Sequence, residues 1–582
     1  MKAFPITLGA LLLTACAADK PLNPDADPIR INQLGYYTNQ SKTATIEDAA
    51  TRDDYRILDA TTRQVVWEGE AARMCTSAWN DTLRHVIDFS ALTQPGRYIL
   101  EAQPYSKEFT IADHPLHEAA IAAIKALYYQ RTGEVIDAQW AGQWARPAAH
   151  PDTEVLVHAS AASKERPEGT VIASPGGWYD AGDYNKYIVN SGFTIGQILT
   201  VYQLCPNYFK GLSLNIPESG NATPDVLDEL LVNLRWMLTM QDPSDGGVYH
   251  KLTTPSFEAF VMPTECHQQR YVVQKSTPAA LDFAATMAIS ARVYKEYEEY
   301  KDFADQALKA AIDAYKWAQR HPSVAYRQGE MNEKFDPDIF TGEYGDGDFH
   351  DEFFWAASEL YFSTGKTLYL NAAASYAPKE YRLPVWGDVT GLGMWSWLVQ
   401  QTYGFSQDAD RLGNRFQQKI LAYCDTLLAT QPTSCYDSPY GNAPADFGWG
   451  CLAESGCGQG LSLLFAYRMT SDARYLHGAL KVADYLLGRN ATGYCYLTGF
   501  GQRPVMNPHH RISAADGIEA PIPGFLCGGP NNGQQDHCEG YPSDRPDESY
   551  LDRTESYASN EVAINWQAGI FSLLGWLDAV VK

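Results

Sequence analysis

Between Pro28 and Asp113 apolar and polar residues alternate in short runs broken by turn residues. Examples are Ile29-Arg30-Ile31-Asn32, Tyr55-Arg56-Ile57-Leu58, Val65-Val66-Trp67, Arg84-His85-Val86-Ile87-Asp88-Phe89 and Arg97-Tyr98-Ile99-Leu100. A period of two at this spacing predicts a small all-β sandwich over residues 29–113, with Pro95-Gly96 as one of its turns. Near His114 the period lengthens. Helical spacing runs from Leu116 to Tyr129 and recurs over roughly 194–204, 224–241, 277–296, 302–320, 350–364, 389–403, 410–430, 458–469, 471–488 and 560–580. Long loops rich in glycine, proline and aromatic residues separate many of these helices, and loops of that length usually carry function. About a dozen helices so joined predict a mainly α domain over 114–582, an α/α barrel with its loops gathered at one rim.

The first 28 residues follow neither pattern. Lys2 and the apolar run Ile6 to Leu13 form a signal peptide over residues 1–15, too short to span a bilayer. Leu13-Thr14-Ala15-Cys16 resembles a bacterial lipobox, which would make Cys16 the lipidated first residue, tethered by the polar stretch 16–28; the other reading is a plain signal cleaved near Ala17 or Ala18. The lipobox reading predicts an exported protein whose membrane contact is the lipid anchor alone, with Ala17 pointing to the outer membrane. The net charge of −25 excludes a nucleic-acid partner, which would need a basic face. The cysteines after Cys16 lie in a compartment that permits disulfides. Cys435, Cys451 and Cys457 form one group and Cys527 and Cys538 another, so a disulfide is expected within each.

The chemistry concentrates in three stretches. Ser174-Pro175-Gly176-Gly177-Trp178-Tyr179-Asp180-Ala181-Gly182-Asp183-Tyr184 places two aspartates three residues apart among glycines and rings. It is either a glycine-rich turn with a capping aspartate or a carboxylate pair sharing one water beside Trp178 and Tyr179, flat walls that suit a sugar. Near the C-terminus Tyr557-Ala558-Ser559-Asn560-Glu561 precedes an apolar helix. Glu561 is either a first-turn residue favoured by the helix dipole or an acid held protonated between Tyr557 and Trp566. Between them, Asn507-Pro508-His509-His510-Arg511 supplies hydrogen-bond donors for hydroxyls. Adjacent histidines make a poor metal site. No phosphate-binding glycine loop and no Gly-x-Ser-x-Gly elbow appears.

With Asp225-Val226-Leu227-Asp228-Glu229, Asp351-Glu352-Phe353-Phe354-Trp355 and Tyr485-Leu486-Leu487-Gly488-Arg489-Asn490 in the same order, the chain after Pro28 resembles a family 9 glycoside hydrolase of the subgroup with an N-terminal immunoglobulin-like domain. The resemblance implies an (α/α)6 barrel and hydrolysis of β-1,4-glucan-type linkages with inversion. It implies Asp183 as general base, Asp180 as its partner on the water, Glu561 as general acid, and His509, Arg511 and Tyr557 as substrate contacts. Inversion needs an acid and a base on opposite faces of the sugar ring. Asp180, Asp183 and Glu561 are all present, which argues against a binding protein that has lost catalysis.

The chain also departs from that pattern. Relatives with this module often bind zinc through cysteines; Thr132 and Ala149 stand in those places beside His150, so zinc is not expected. No cofactor is required, but Asp346-Gly347-Asp348-Phe349-His350-Asp351-Glu352 is either a calcium site or a solvated acidic loop. Cys495 and Gln567 also differ from the family and are expected to reshape the subsites. For a lipid-anchored protein with no evident cellulose-binding module, the expected activity is exo-acting, on short β-1,4-linked oligosaccharides, as a glucosidase or a glucosaminidase. In the latter case acidic residues of the 335–352 and 536–555 loops would hold an ammonium. The alternative is an endo-β-1,4-glucanase.

Overall fold

The computed structural model describes residues 27–47, 54–79, 81–401 and 407–581; the predicted signal, the tether up to residue 26 and Cys16 lie outside them. Strands β1 (Ile29–Arg30), β2 (Tyr36–Tyr37), β3 (Thr43–Ile46), β4 (Asp54–Asp59), β5 (Val65–Glu70), β6 (Arg73–Thr76), β7 (Leu83–Asp88), β8 (Gly96–Ala102) and β9 (Tyr105–Ala112) come first. They form two sheets, ordered β1-β3-β7-β6 and β2-β9-β8-β4-β5. Alternation explains the packing: along β9, Lys107, Phe109 and Ile111 are buried while Ser106 and Glu108 are exposed. Tyr36, Phe89 and Phe109 meet between the sheets, with ring centroids 5.1–5.9 Å apart.

Among the described residues twelve helices of nine residues or more follow. They are α1 (His117–Gln130), α2 (Ile188–Tyr202), α3 (Asp225–Thr239), α4 (Thr277–Tyr294), α5 (Lys301–Arg320), α6 (His350–Thr364), α7 (Thr367–Ser375), α8 (Thr390–Gln400), α9 (Gln407–Thr430), α10 (Cys457–Thr470), α11 (Ala473–Leu486) and α12 (Ile564–Val580). The even-numbered helices are buried along most of their length; every residue of α2 and α8 is inside, as expected of helices apolar on all sides. The odd-numbered helix α5 buries one stripe, including Ala304, Ala307, Ala311, Ala314 and Ala318. Helix α2 packs on α4, α4 on α6 and α6 on α8. Trp395 of α8 stacks on Phe465 of α10 at 5.0 Å, and Phe465 meets Trp576 of α12 at 4.9 Å. Helix α12 then packs back on α2, so the six buried helices close a ring.

A five-stranded sheet of short strands lies in the loops: β10 (Val155–Val157), β11 (Val171–Ile172), β12 (Lys186–Tyr187), β13 (Lys251–Thr253) and β14 (Tyr271–Val272), ordered β11-β10-β14-β13-β12. Strand β12 runs straight into α2.

The two regions are joined by a disulfide from Cys75 on β6 to Cys435, with Cα atoms 5.7 Å apart. Beside it the Tyr436 hydroxyl donates to Glu47 Oε1 at 2.6 Å. The disulfides expected within the two cysteine groups do not form, because Cys451, Cys457, Cys527 and Cys538 are free thiols and Cys435 is already taken.

Candidate active site

A cleft of about 480 Å³ opens where the segments leading into the six buried helices converge. Asp183 and Tyr187 precede α2, Phe257 precedes α4, and Tyr344 precedes α6. Trp386 precedes α8, Trp449 and Glu454 precede α10, and Glu561 precedes α12, whose first turn adds Asn565 and Trp566.

Three sequence-distant stretches are sewn together here by main-chain hydrogen bonds. The Arg511 amide donates to Gly182 O at 3.1 Å, the His509 amide to Asn560 O at 2.8 Å, and the Ile564 amide to Asp180 O at 2.9 Å. Position 182 must be glycine, because an added Cβ would lie 2.0 Å from His509 O. Gly450 meets a similar limit, with a Cβ 2.2 Å from the Trp566 ring at φ +71°.

Asp183 is buried and oriented through one oxygen. Its Oδ2 accepts from the Asn185 amide (3.3 Å), Asn185 Nδ2 (2.6 Å) and the Tyr187 hydroxyl (3.2 Å). Its Oδ1 has no protein partner among the described residues and faces the cleft. Asp180 accepts from Asn190 Nδ2 at 2.8 Å and from the Tyr344 hydroxyl at 2.6 Å. Burial, with the Asp183 charge added, pushes its carboxyl well above the usual range.

Glu561 lines the same cleft. Its Oε2 accepts from Trp449 Nε1 at 2.9 Å, and its Oε1 is free of protein partners among the described residues. Burial raises its carboxyl from 4.5 to about 8; the Trp449 hydrogen bond opposes the shift and the Asp183 charge adds to it. Glu561 does not open a helix, contrary to the sequence reading. It follows a short turn, Tyr557–Asn560, on extended backbone paired with His509, and α12 begins three residues later at Ile564. Trp566, expected to hold Glu561 together with Tyr557, lines the cleft, but the tryptophan bonded to Glu561 is Trp449, which sequence reasoning missed. Its setting, Phe447-Gly448-Trp449-Gly450, has the same glycine-and-ring signature as the stretches that were singled out. Tyr344, in Gly342-Glu343-Tyr344-Gly345, and Trp386, before Gly387, share that signature and were also missed; Asn190 and Asn565 carry no such signal.

Other expected contacts are placed differently. Trp178 and Tyr179 are fully buried behind the loop and form no wall of the cleft. The Trp178 indole donates to Glu229 Oε1 at 2.9 Å, a carboxylate already paired with buried Arg131. The Tyr179 hydroxyl pairs with His150 Nδ1 at 2.7 Å. Arg511 is buried; it donates to the carbonyls of Gly182 and Glu258 at 2.8 Å each and lies over the rings of Phe257 and Phe260. It braces the aspartate loop. The His509 ring bonds Thr554 O at 2.6 Å. Tyr557 donates to Gln535 O at 2.9 Å and packs its ring on Trp449, with centroids 5.0 Å apart. Cys495 and Gln567 are buried; Gln567 accepts from the Leu526 amide and reaches the Ala123 carbonyl, so neither shapes a subsite directly. In the place of the absent thiolates, Thr132 Oγ1 donates to Gly176 O at 2.7 Å.

In the acidic loop, ligand atoms of Asp346, Asp351 and Glu352 lie within 4.8 Å of one another. Asp346 Oδ2 and Glu352 Oε2 are buried and unpartnered, as are both oxygens of neighbouring Asp282. Such orphaned oxygens fit a hard divalent cation. Asp348 stands apart, exposed and paired with His350.

Residues 117–574 match the family model described as glycosyl hydrolase family 9, and residues 25–107 match the cellulase N-terminal ig-like domain. The chain belongs to glycosyl hydrolase family 9. It is an enzyme that hydrolyses O-glycosyl bonds. It is 53% identical over 570 residues to a xyloglucan-specific endo-beta-1,4-glucanase of Bacteroides ovatus, covering 98% of this chain and 96% of the relative. It is 31% identical over 561 residues to endoglucanase D of Acetivibrio thermocellus, covering 94% and 83%. Among solved structures it superposes on a family 9 protein of Bacteroides ovatus with a TM-score of 0.92 at 52% identity, covering 96% of this chain and all of that one.

These family 9 relatives overturn the expectation of exo action on short oligosaccharides, as glucosidase or glucosaminidase: both named enzymes are endo-acting. The cleft agrees with them, since the rings of Phe257 and Trp449 stand exposed along its edge. A terminal-sugar pocket would enclose such faces.

Proposed function

We propose that this chain is an inverting endo-β-1,4-glucanase that cuts inside the backbone of a β-1,4-linked glucan. One observation carries the reading. Asp183 and Glu561, from opposite ends of the helical region, face one cleft, each held through one oxygen and offering the other. Glu561, kept protonated by burial, donates to the leaving glycosidic oxygen. Asp183 takes the proton of a water that attacks the anomeric carbon from the opposite face, and Asp180 holds that water from the far side. The product is the α-anomer. Trp386, Trp449 and Phe257 offer stacking faces to successive sugars. The helical ring corresponds to an (α/α)6 barrel, with each buried helix paired to an outer one.

The 53% identity to a xyloglucan-specific enzyme supports a branched β-1,4-glucan as the substrate. The deciding experiment is product analysis on soluble β-glucan and xyloglucan, by mass profile and by NMR of the first anomer formed. Mid-chain fragments with an α-anomeric end are expected; release of single terminal sugars, or a β-anomer, overturns the reading.

We also propose that Asp346, Asp351 and Glu352 hold a calcium ion, supported by their clustered carboxylate oxygens. The lipobox-like Leu13-Thr14-Ala15-Cys16 supports export and lipidation at Cys16. Fatty-acid labelling that is lost in Cys16→Ala tests it.

A further inference from the structure

The cleft holds another carboxyl for which the reading above has no role. Glu454 stands on a single π-helical turn, Leu452–Gly456, that runs into α10. Such turns are frequent at functional sites. Its Oε1 accepts from the Trp386 amide at 3.1 Å and from Asn565 Nδ2 at 2.9 Å. Among the described residues its Oε2 has no hydrogen-bond partner and no cation pairs with the carboxyl, although the residue lines the cleft. Burial pushes the carboxyl up to about 7.

The arrangement repeats that of Asp183 and Glu561: one oxygen fixed by the protein, the other left to the cleft. A carboxyl that served only to brace Asn565 could be an amide at less cost, because a half-buried, unpaired oxygen is unfavourable unless a ligand satisfies it. The Trp386 side chain lines the same cleft, its ring packed edge-on against Tyr344 at 4.9 Å. A flat ring next to a hydroxyl acceptor is what a pyranose requires. Asn565 Oδ1 in turn accepts from Asn190 Nδ2 at 3.3 Å, and Asn190 donates to Asp180.

We propose that Glu454 is a substrate-contacting specificity residue: Oε2 accepts a hydroxyl of the sugar lying against Trp386, and Oε1, through Asn565 and Asn190, ties that contact to Asp180. The proposal rests on the glucanase reading. Its test compares Glu454→Gln and Glu454→Ala for kcat and KM on a soluble β-1,4-glucan. It also measures binding of a β-1,4 oligosaccharide by calorimetry in a Glu561→Gln background, with thermal melts as the control for folding. Kd is expected to rise on the order of 10- to 100-fold in E454Q, whose shape is unchanged, and at least as much in E454A, with a matching loss in kcat/KM. An unchanged Kd and kcat/KM in either variant overturns the proposal. Parent protein that binds the oligosaccharide without cleaving it defeats the hydrolytic reading instead, and the Kd comparison still decides the role of Glu454.

Discussion

The Ile564 amide donates to the carbonyl oxygen of Asp180 at 2.9 Å, joining positions nearly four hundred residues apart in the chain. That bond, with those from Arg511 to Gly182 O and from His509 to Asn560 O, fixes the distance between the Asp183 loop and the Glu561 segment. Gly182→Ala drives a methyl into the His509 carbonyl and must spread the two. It is expected to cost about 1–3 kcal/mol of stability, as overpacking does, and to lower kcat more than it raises KM. Thermal melts with steady-state kinetics check both.

Asp183→Asn and Glu561→Gln are each expected to lower kcat on the order of 10²- to 10⁴-fold, the usual contribution of a general base or acid. Their folding differs with pH. Glu561 keeps its proton to about 8 in the native state, against 4.5 ordinarily. Between those values the native chain holds a proton that the unfolded chain releases, so this residue's contribution to stability falls as pH rises from about 4.5 through about 8. Glu561→Gln lacks that loss. Its melting temperature relative to the parent is expected to climb from pH 5 to pH 8.5; a constant difference contradicts the burial argument.

Trp449→Phe removes the one hydrogen-bond donor seen on Glu561 among the described residues. That bond favours the ionised carboxylate, so its loss raises the carboxyl further. The alkaline limb of kcat/KM is expected to move to higher pH, alongside any loss of sugar stacking. A shift toward lower pH would refute the assignment.

Trp178→Phe tests a different role. Its indole N–H satisfies buried Glu229 and touches no part of the cleft. The expected outcome is a stability loss of about 1.5–3 kcal/mol, typical of a hydrogen bond to a charged group, with KM unchanged. A raised KM at unchanged stability would restore it as a sugar wall.

Chelation tests the acidic cluster. If Asp346, Asp351 and Glu352 bind calcium, dialysis against a chelator lowers the melting temperature and excess calcium restores it, because a ligand of the native state alone stabilises by mass action. Asp351→Asn should abolish that dependence.

The buried helices were readable because their apolar character persists through every turn. Helix α2 was read from residue 194, six residues late: its first turns contain Asn190, Ser191 and Gly192, weak helix formers. They lie against α4, where a Cβ added at Gly192 would stand 3.0 Å from Asp282 Cβ, a packing constraint no local window contains. Helix α7 was missed because nine residues give too little periodicity. Asp183 and Glu561 were legible through their glycine and aromatic neighbours. The same signal overreached at Trp178 and Tyr179, since composition does not say which side of a loop a ring takes. Glu561 was read as a helix start because Val562-Ala563-Ile564 continues the apolar run; the structure spends Val562 on a bridge to Cys527 instead. The Cys75–Cys435 pairing, 360 residues apart, left no local trace.

That pairing makes the chain tolerant of scission. A protease that nicks it once, at any exposed loop between Cys75 and Cys435, leaves two fragments still covalently attached. The nicked enzyme should migrate as one species on a denaturing gel until a thiol reductant is added, and only then separate into two bands.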